Sequence, residues 1–572
     1  MKKRASFVIA VLLFSGCGSS SVEPAGNPPV PAEPAFVNNP RIVYSDGLHS
    51  ENTEMLRLGD RILLVFRGGE EGQTGSARAR IMIFESRDDG RSFVPLSEVS
   101  MPNDPDDPDD DRDIRDPKLV RMGDRLLLFC ISRKPGFSYR DLFGEAWLVR
   151  AESADGGRTW TDPVRSFQDI GPFGTEVFWG FWRFTRRTYR ADGQTRETLY
   201  ATAYNDGDIA VGLFASEDGV HWRKHATIIS NYNDVPSEAE LNFFGDNSEK
   251  AVSLVRLDNQ GILEDGQTVV CTSREPFLRW TCNRRFEQRF DGPSWIVDQS
   301  GGRTRHFVFA RKHLPCTYKR TAAYELRGDL TDAGAPIQVC EIQELPSSGD
   351  TAYTAFAPLG GDRYLLSWYS SPVDLEPAWL EGQFSPSDIW LADLDLSLAP
   401  DTCTAPEPEA PCRPPPLPVG AGPLAASGRF LTTLSPVIWP AQSLFFLAEA
   451  TLKGPQFDLS LQPLEPEGKQ PVGDPWVKRG LAMAADGSFT ADFGTRTLPS
   501  EAYPVLDSPI PLNLKKFKLE ARTTSADSFC GSVTGFAEVL PSRSDRIHLD
   551  GSTFGAVPIL GSTLPDSVGA CP

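Results

Sequence analysis

The chain of 572 residues carries 77 acidic against 57 basic side chains, for a formal net charge of −20 and a pI near 4.9. That balance leaves no basic face to neutralise phosphates and argues against a nucleic-acid partner; six His and no CxxC spacing argue against a zinc centre. With 40% hydrophobic residues, 49 Gly and 48 Pro, the composition suits a turn-rich all-β protein with room for two or three domains.

The first residues read as an export address. Met1 to Arg4 is basic, and Phe7 to Phe14 is an apolar run too short to span a bilayer. Ser15-Gly16-Cys17 then resembles a bacterial lipobox, with Phe14 where that motif usually has Leu. The resemblance implies a signal peptide over 1–17, lipidation of Cys17, and contact with a membrane through the lipid anchor only. Gly18 in place of Asp implies an outer-membrane or cell-surface location. Residues 18–35 are a polar, Pro-rich tether.

From 36 to 398, short apolar runs recur between turn signals: Arg61 to Phe66, Arg125 to Cys130, Leu199 to Tyr204, Phe307 to Phe309, Tyr364 to Trp368 and Asp388 to Ala392. Three copies of a Ser-x-Asp-x-Gly-x-Thr-Trp turn start at Ser86, Ser153 and Ser216, the third one residue short. Their steps of 67 and 63 residues match a four-stranded blade repeated about an axis. Divided by that period, the region predicts six blades. The turn resembles the Asp-box of the sialidase superfamily of β-propellers, in which it lies on the outer edge of a blade, away from the chemistry.

The aspartate-rich run from Met101 to Arg112 offers hard oxygen ligands for calcium, but lacks the EF-hand glycine and terminal glutamate. A solvated loop is the expected reading, with no cofactor. Residues 399–427 are a Pro-rich linker, and 428–572 alternates again, as in Phe457 to Leu461 and Lys516 to Glu520, predicting a β-sandwich-like domain. Setting Cys17 aside, proximity along the chain suggests the disulfides Cys271–Cys282, Cys316–Cys340, Cys403–Cys412 and Cys530–Cys571, with Cys130 a buried thiol. The whole is expected to be an exported, monomeric, six-bladed sialidase-like propeller followed by a C-terminal β-sandwich-like domain.

Several stretches are similar to the catalytic segments of sialidases. Glu238, in Pro236 to Leu241, followed by Arg256, matches the strand pair that carries the glutamate partner of the nucleophile and a substrate-gripping arginine; Glu240 is a rival on the same face. Tyr353, in Asp350 to Phe356, matches the nucleophilic tyrosine, a neutral group that an anionic sugar does not repel. Asp350, at the head of that segment, is a further substrate-binding candidate. Arg115, in an Asp-x-Arg-Asp-Pro-Lys segment, joins Arg183, Arg256 and Arg311, one per blade. Four guanidiniums at a channel mouth suit a carboxylate or sulfate. Two departures stand out: Glu51 to Leu56 replaces the Arg-Ile-Pro of the first inner strand, and Ser76 to Ile81 lacks the acid/base Asp. Asp116 and Glu54 are then the candidate proton donors. The expected activity is a glycoside hydrolase acting on an acidic or modified glycan. The alternative is a catalytically inactive propeller that binds glycan or protein.

Overall fold

The computed structural model of the protein describes residues 35–572 except 70–75, 104–110, 135–145, 171–178, 206–208, 232, 259–265, 301, 408–411, 414–415, 441, 504–510, 539–545, 562–563, 567–570 and 572. Cys17 with its signal and tether, and the centre of the aspartate-rich run, lie outside the described residues. No described helix is long and apolar enough to cross a membrane.

Six antiparallel sheets follow one another as the blades of a propeller. Their first strands are His49–Leu58, Asp113–Met122, Gly180–Ala191, Pro236–Phe244, Asp291–Asp298 and Thr351–Gly360. Each touches the next in sequence order, and the sixth touches the first, so these six strands ring a central channel. The ring is closed by the N-terminal strand Val37–Tyr44, which pairs with Asp388–Asp395 on the outside of blade 6.

Every blade is covered on both faces by its neighbours, which is why its second strand reads as a nearly continuous apolar run. Leu63, Val65 and Ile83 of blade 1 pack with Ile114 and Leu128 of blade 2 in one buried cluster, and each of the other gaps between blades holds a cluster of its own. The three repeated turns fall alike, between the third and fourth strands of blades 1, 2 and 3. Ser86, Ser153 and Ser216 accept a hydrogen bond from the amides of Gly90, Gly157 and Gly219 at 2.8–2.9 Å. Those glycines sit at φ of +84°, +92° and +74°, a conformation open to Gly at no steric cost.

The C-terminal domain is one nine-stranded antiparallel sheet. Its end strands Trp476–Ala482 and Ser488–Leu498 come together, making a nearly closed, sandwich- or barrel-like roll around Phe446, Phe457, Trp476, Phe489, Phe517 and Phe529.

Two disulfide expectations need correction. Cys271–Cys282 and Cys530–Cys571 form, and Cys130 is free and buried. The other two bridges are Cys316–Cys412 and Cys340–Cys403, rather than Cys316–Cys340 and Cys403–Cys412. The linker returns along the outer edge of blade 5, where Glu341 donates its amide to the Thr404 carbonyl at 2.8 Å. That pairing sets Cys403 beside Cys340, so proximity in space overrules proximity along the chain.

Candidate active site

The channel mouth is built from backbone irregularity. All six inner strands slip register near their starts: at Glu51/Glu54, Arg115/Lys118, Phe181/Arg183, Pro236/Ala239, Asp291/Ser294 and Ala352/Ala355. A bulge inserts an unpaired residue and re-aims its side chain. Asn52, Asp116 and Tyr353 take φ of +57°, +53° and +48° there, a backbone rare for such residues and concentrated at functional sites. Gly292 is at +58°, and a Cβ on it would fall 2.7 Å from the Tyr353 ring, so only glycine fits.

Tyr353 is brought to Glu238. Its Oη donates to Glu238 Oε1 at 2.7 Å, while Oε2 of the same carboxylate receives Arg256 Nη1 at 2.9 Å and the Gly292 amide at 2.6 Å. The ring is fixed by Trp182 edge-on at 5.2 Å, by Tyr369 stacked at 5.9 Å, and by the Arg311 guanidinium 5.1 Å from its centroid. Burial, reinforced by the Glu238 carboxylate, pushes the Tyr353 phenol well above its usual pKa, so it is a neutral phenol that needs a base to become a nucleophile.

A second set of side chains forms a hub beneath Glu238. Asp291 receives Arg256 at 2.9 Å, Arg289 at 2.6 Å and His313 at 3.0 Å, with Arg311 at 3.6 Å. Burial opposes its charge, but Arg256, Arg289 and His313 outweigh that and hold the carboxyl well below the usual range. Arg311 completes its contacts with the Thr351 carbonyl at 2.8 Å, Asp350 at 2.8 Å and the Tyr369 hydroxyl at 3.1 Å. Across the channel, Arg115 lies 3.5 Å from Glu51 and 3.4 Å from Asp116, and the Asn52 amide nitrogen donates to Asp116.

Further along the strands Glu54, Lys118, Arg183, Glu240 and Ser294 make a lower ring. Arg183 sits at its centre, 3.1 Å from Glu54 and 3.1 Å from Glu240, and donates to Ser294 at 2.5 Å and to the Thr354 carbonyl at 2.9 Å. Burial pushes Glu240 up to about 8, against the pull of Arg183 and with the charge of Glu54 adding. An ion-pair distance and a raised pKa look contradictory, but burial outweighs the one guanidinium, which Glu240 shares with Glu54.

The structure therefore gathers Tyr353, Glu238, Arg256 and Arg311 at one place, with Arg115 and Asp116 on the blade 2 side. Arg183 and Glu54 fall in the lower ring, and Glu240 pairs with Arg183 rather than with the phenol. Asp350 holds Arg311 and the Trp379 indole, both at 2.8–3.1 Å. Every one of the four arginines faces at least one internal carboxylate, so the channel is charge-matched rather than a bare positive pocket. Arg289 and His313 were missed by sequence reasoning; the run Arg289-Phe-Asp291, with its two opposite charges on one face of a strand entry, was the signal.

No protein-family profile matches the chain, and no curated protein does. Among solved structures, it is similar to the intramolecular trans-sialidase from Ruminococcus gnavus (10% identity, TM-score 0.45, 64% of this chain and 99% of that one). It is also similar to the Trypanosoma rangeli sialidase (12%, 0.42, 91% and 89%). A third similar structure is the Penicillium chrysogenum alpha-L-arabinanase (13%, 0.43, 64% and 99%).

Proposed function

We propose that the protein is an exported, sialidase-like glycoside hydrolase acting on an acidic or modified glycan, with Tyr353 as nucleophile. The reading is carried by the 2.7 Å hydrogen bond from the buried Tyr353 hydroxyl to a Glu238 carboxylate that Arg256 fixes from behind. Glu238 takes the phenolic proton as Tyr353 Oη bonds to the anomeric carbon. The glycosidic bond breaks, and its oxygen takes a proton from Asp116, which stands in the mouth layer with Arg115 and Asn52. Water then displaces Tyr353 from the sugar, giving its proton to Asp116 while Glu238 returns the phenolic proton to Tyr353 Oη, with net retention. Glu54, held by Arg183 in the lower ring, is the second choice of donor.

A binding module is the competing reading, and one observation favours it. Arg311 turns its contacts to Thr351, Asp350, Tyr369 and Asp291, all within the protein. A carboxylate-bearing sugar would have to compete with these groups.

The test is release of sugars from sialylated, uronic-acid-bearing and neutral glycans by the chain freed of its export segment. Release by the native chain, falling by about 10²-fold or more in Tyr353→Phe, supports the hydrolase. Binding without release, unchanged in that variant, supports the module. Lipidation at Cys17 is proposed alongside, and four disulfides are in keeping with an oxidising compartment. Cys17→Ala is expected to move the protein from the membrane to the soluble fraction.

A further inference from the structure

His49 and Glu51 open the inner strand of blade 1, and Asp350 immediately precedes that of blade 6. The three side chains are at most 1% exposed. His49 Nε2 lies 3.9 Å from Glu51 Oε2 and 3.7 Å from Asp350 Oδ2, and these ligand atoms all fall within 4.8 Å of one another. None of these three atoms, His49 Nε2, Glu51 Oε2 and Asp350 Oδ2, makes a hydrogen bond.

The outer atoms of the same groups are all committed. His49 Nδ1 is 2.7 Å from the Ser385 carbonyl, an acceptor only, so Nδ1 carries a proton and donates it. Glu51 Oε1 receives Arg67 at 3.1 Å and Arg115 at 3.5 Å, and Asp350 Oδ1 receives Arg311 at 2.8 Å and the Trp379 indole at 3.1 Å. Arg67 also holds Asp113 at 2.9 Å and Arg115 also holds Asp116, so neither guanidinium belongs to Glu51 alone.

His49 Nε2 thus faces two carboxylate oxygens in a dry site with no hydrogen bond among the three atoms. That arrangement is strongly unfavourable unless a cation lies between them. At 3.7 and 3.9 Å from Nε2, the two oxygens stand too far from it for hydrogen bonds. Donors about 2.0–2.2 Å from zinc lie roughly 3.4–3.8 Å apart at tetrahedral to trigonal angles, close to the two spacings from His49 Nε2. A ligating imidazole whose other nitrogen donates to a backbone carbonyl, and carboxylates whose second oxygens are themselves held, are what a metal site requires of its surroundings.

We propose that His49, Glu51 and Asp350 bind a divalent transition-metal ion such as zinc, which clamps the first blade to the last. The seam it spans is already laced by Ser50 and Ser387, which exchange hydrogen bonds at 2.9 and 2.6 Å. Through Asp350 and Arg311 the ion also positions the Tyr353 ring. The proposal is independent of whether Tyr353 acts on a sugar, and it departs from the absence of zinc spacing in the sequence, because the three ligands come together only when the ring closes.

The test uses the whole chain, exposed to Zn²⁺ and dialysed against metal-free buffer. About one equivalent of zinc per chain is expected, with a melting temperature that falls on stripping by a strong chelator and recovers on adding Zn²⁺. His49→Ala and Asp350→Asn are expected to lose the zinc. Cobalt-loaded native protein, which needs no variant to fold, should show a visible ligand-field band and one strongly shifted exchangeable imidazole proton from His49 Nδ1. Three results would overturn the proposal: native protein without zinc and indifferent to chelator, zinc retained in full by a folded His49→Ala, or cobalt bound without the imidazole signal.

Discussion

The two halves of the molecule bury different things. Among the described residues of the C-terminal roll, the buried polar side chains are Thr432, Thr433, Thr523, Ser532 and Ser552, and none is charged. Around the propeller channel Glu51, Arg67, Asp113, Arg115, Asp116, Lys118, Arg183, Glu238, Asp291, Arg311 and Asp350 are all buried. Removing a charge from water opposes folding unless partners compensate it. A roll held by Phe457, Leu459 and Phe489 needs no such compensation. The channel carries a network that stability alone would not ask for, and that is where a functional site is to be sought.

The contrast can be broken most sharply through activity. Glu238→Gln keeps the shape of the side chain and removes the base, so glycan release is expected to fall by about 10²–10⁴-fold, while Leu459→Ala in the roll leaves release by the folded protein unchanged. Stability comes next. Asp291→Ala leaves Arg256, Arg289 and Arg311 without their shared carboxylate and is expected to destabilise the propeller by about 3–5 kcal/mol, measured as the lowering of its calorimetric transition. Leu459→Ala, fully buried in the roll, is expected to remove about 2–4 kcal/mol from the C-terminal transition and to leave the propeller transition in place.

Acidity separates the halves in the same calorimeter. Asp291 is held well below its usual pKa, so its stabilising contribution is complete above about pH 4 and is lost as pH falls through the lowered folded value. The propeller transition should fall on acidification, and that of the roll, which buries no charge among its described residues, should move much less. The last effect has the opposite sign. Glu240 is raised from 4.5 to about 8, so its folded form keeps a proton that the unfolded chain releases. Propeller stability then falls as pH rises from 4.5 through about 8, and Glu240→Gln should flatten that slope.

The runs that announced strands in the sequence were mostly second strands. Arg61 to Phe66, Arg125 to Cys130, Leu199 to Tyr204, Phe307 to Phe309 and Tyr364 to Trp368 each lie in the second strand of a blade, packed on both faces and therefore almost continuously apolar. The inner strands that carry the site gave weaker signals, because Glu51, Asp113, Arg115 and Asp291 interrupt any alternation, and a bulge breaks the period of two in each of them. Glu238, Arg256 and Tyr353 were legible as a resemblance between short segments, whereas the lower-ring position of Arg183 and Glu54 was not. One residue of slip at a bulge decides whether a side chain faces the mouth or the floor, and no residue count along a strand reveals it.

The sequence by itself determined that the chain is all-β, that its repeating turns build blades around an axis, and that a separate β domain follows a Pro-rich stretch. These are local properties: turn chemistry, alternation and composition act within a few residues. Only the tertiary structure decided that Cys340 bridges to Cys403, that Asp291 serves three arginines, and that His49 and Glu51 meet Asp350 some 300 residues away in the chain. Those contacts exist because the last blade is brought beside the first, and closure of the ring is a property of the whole chain.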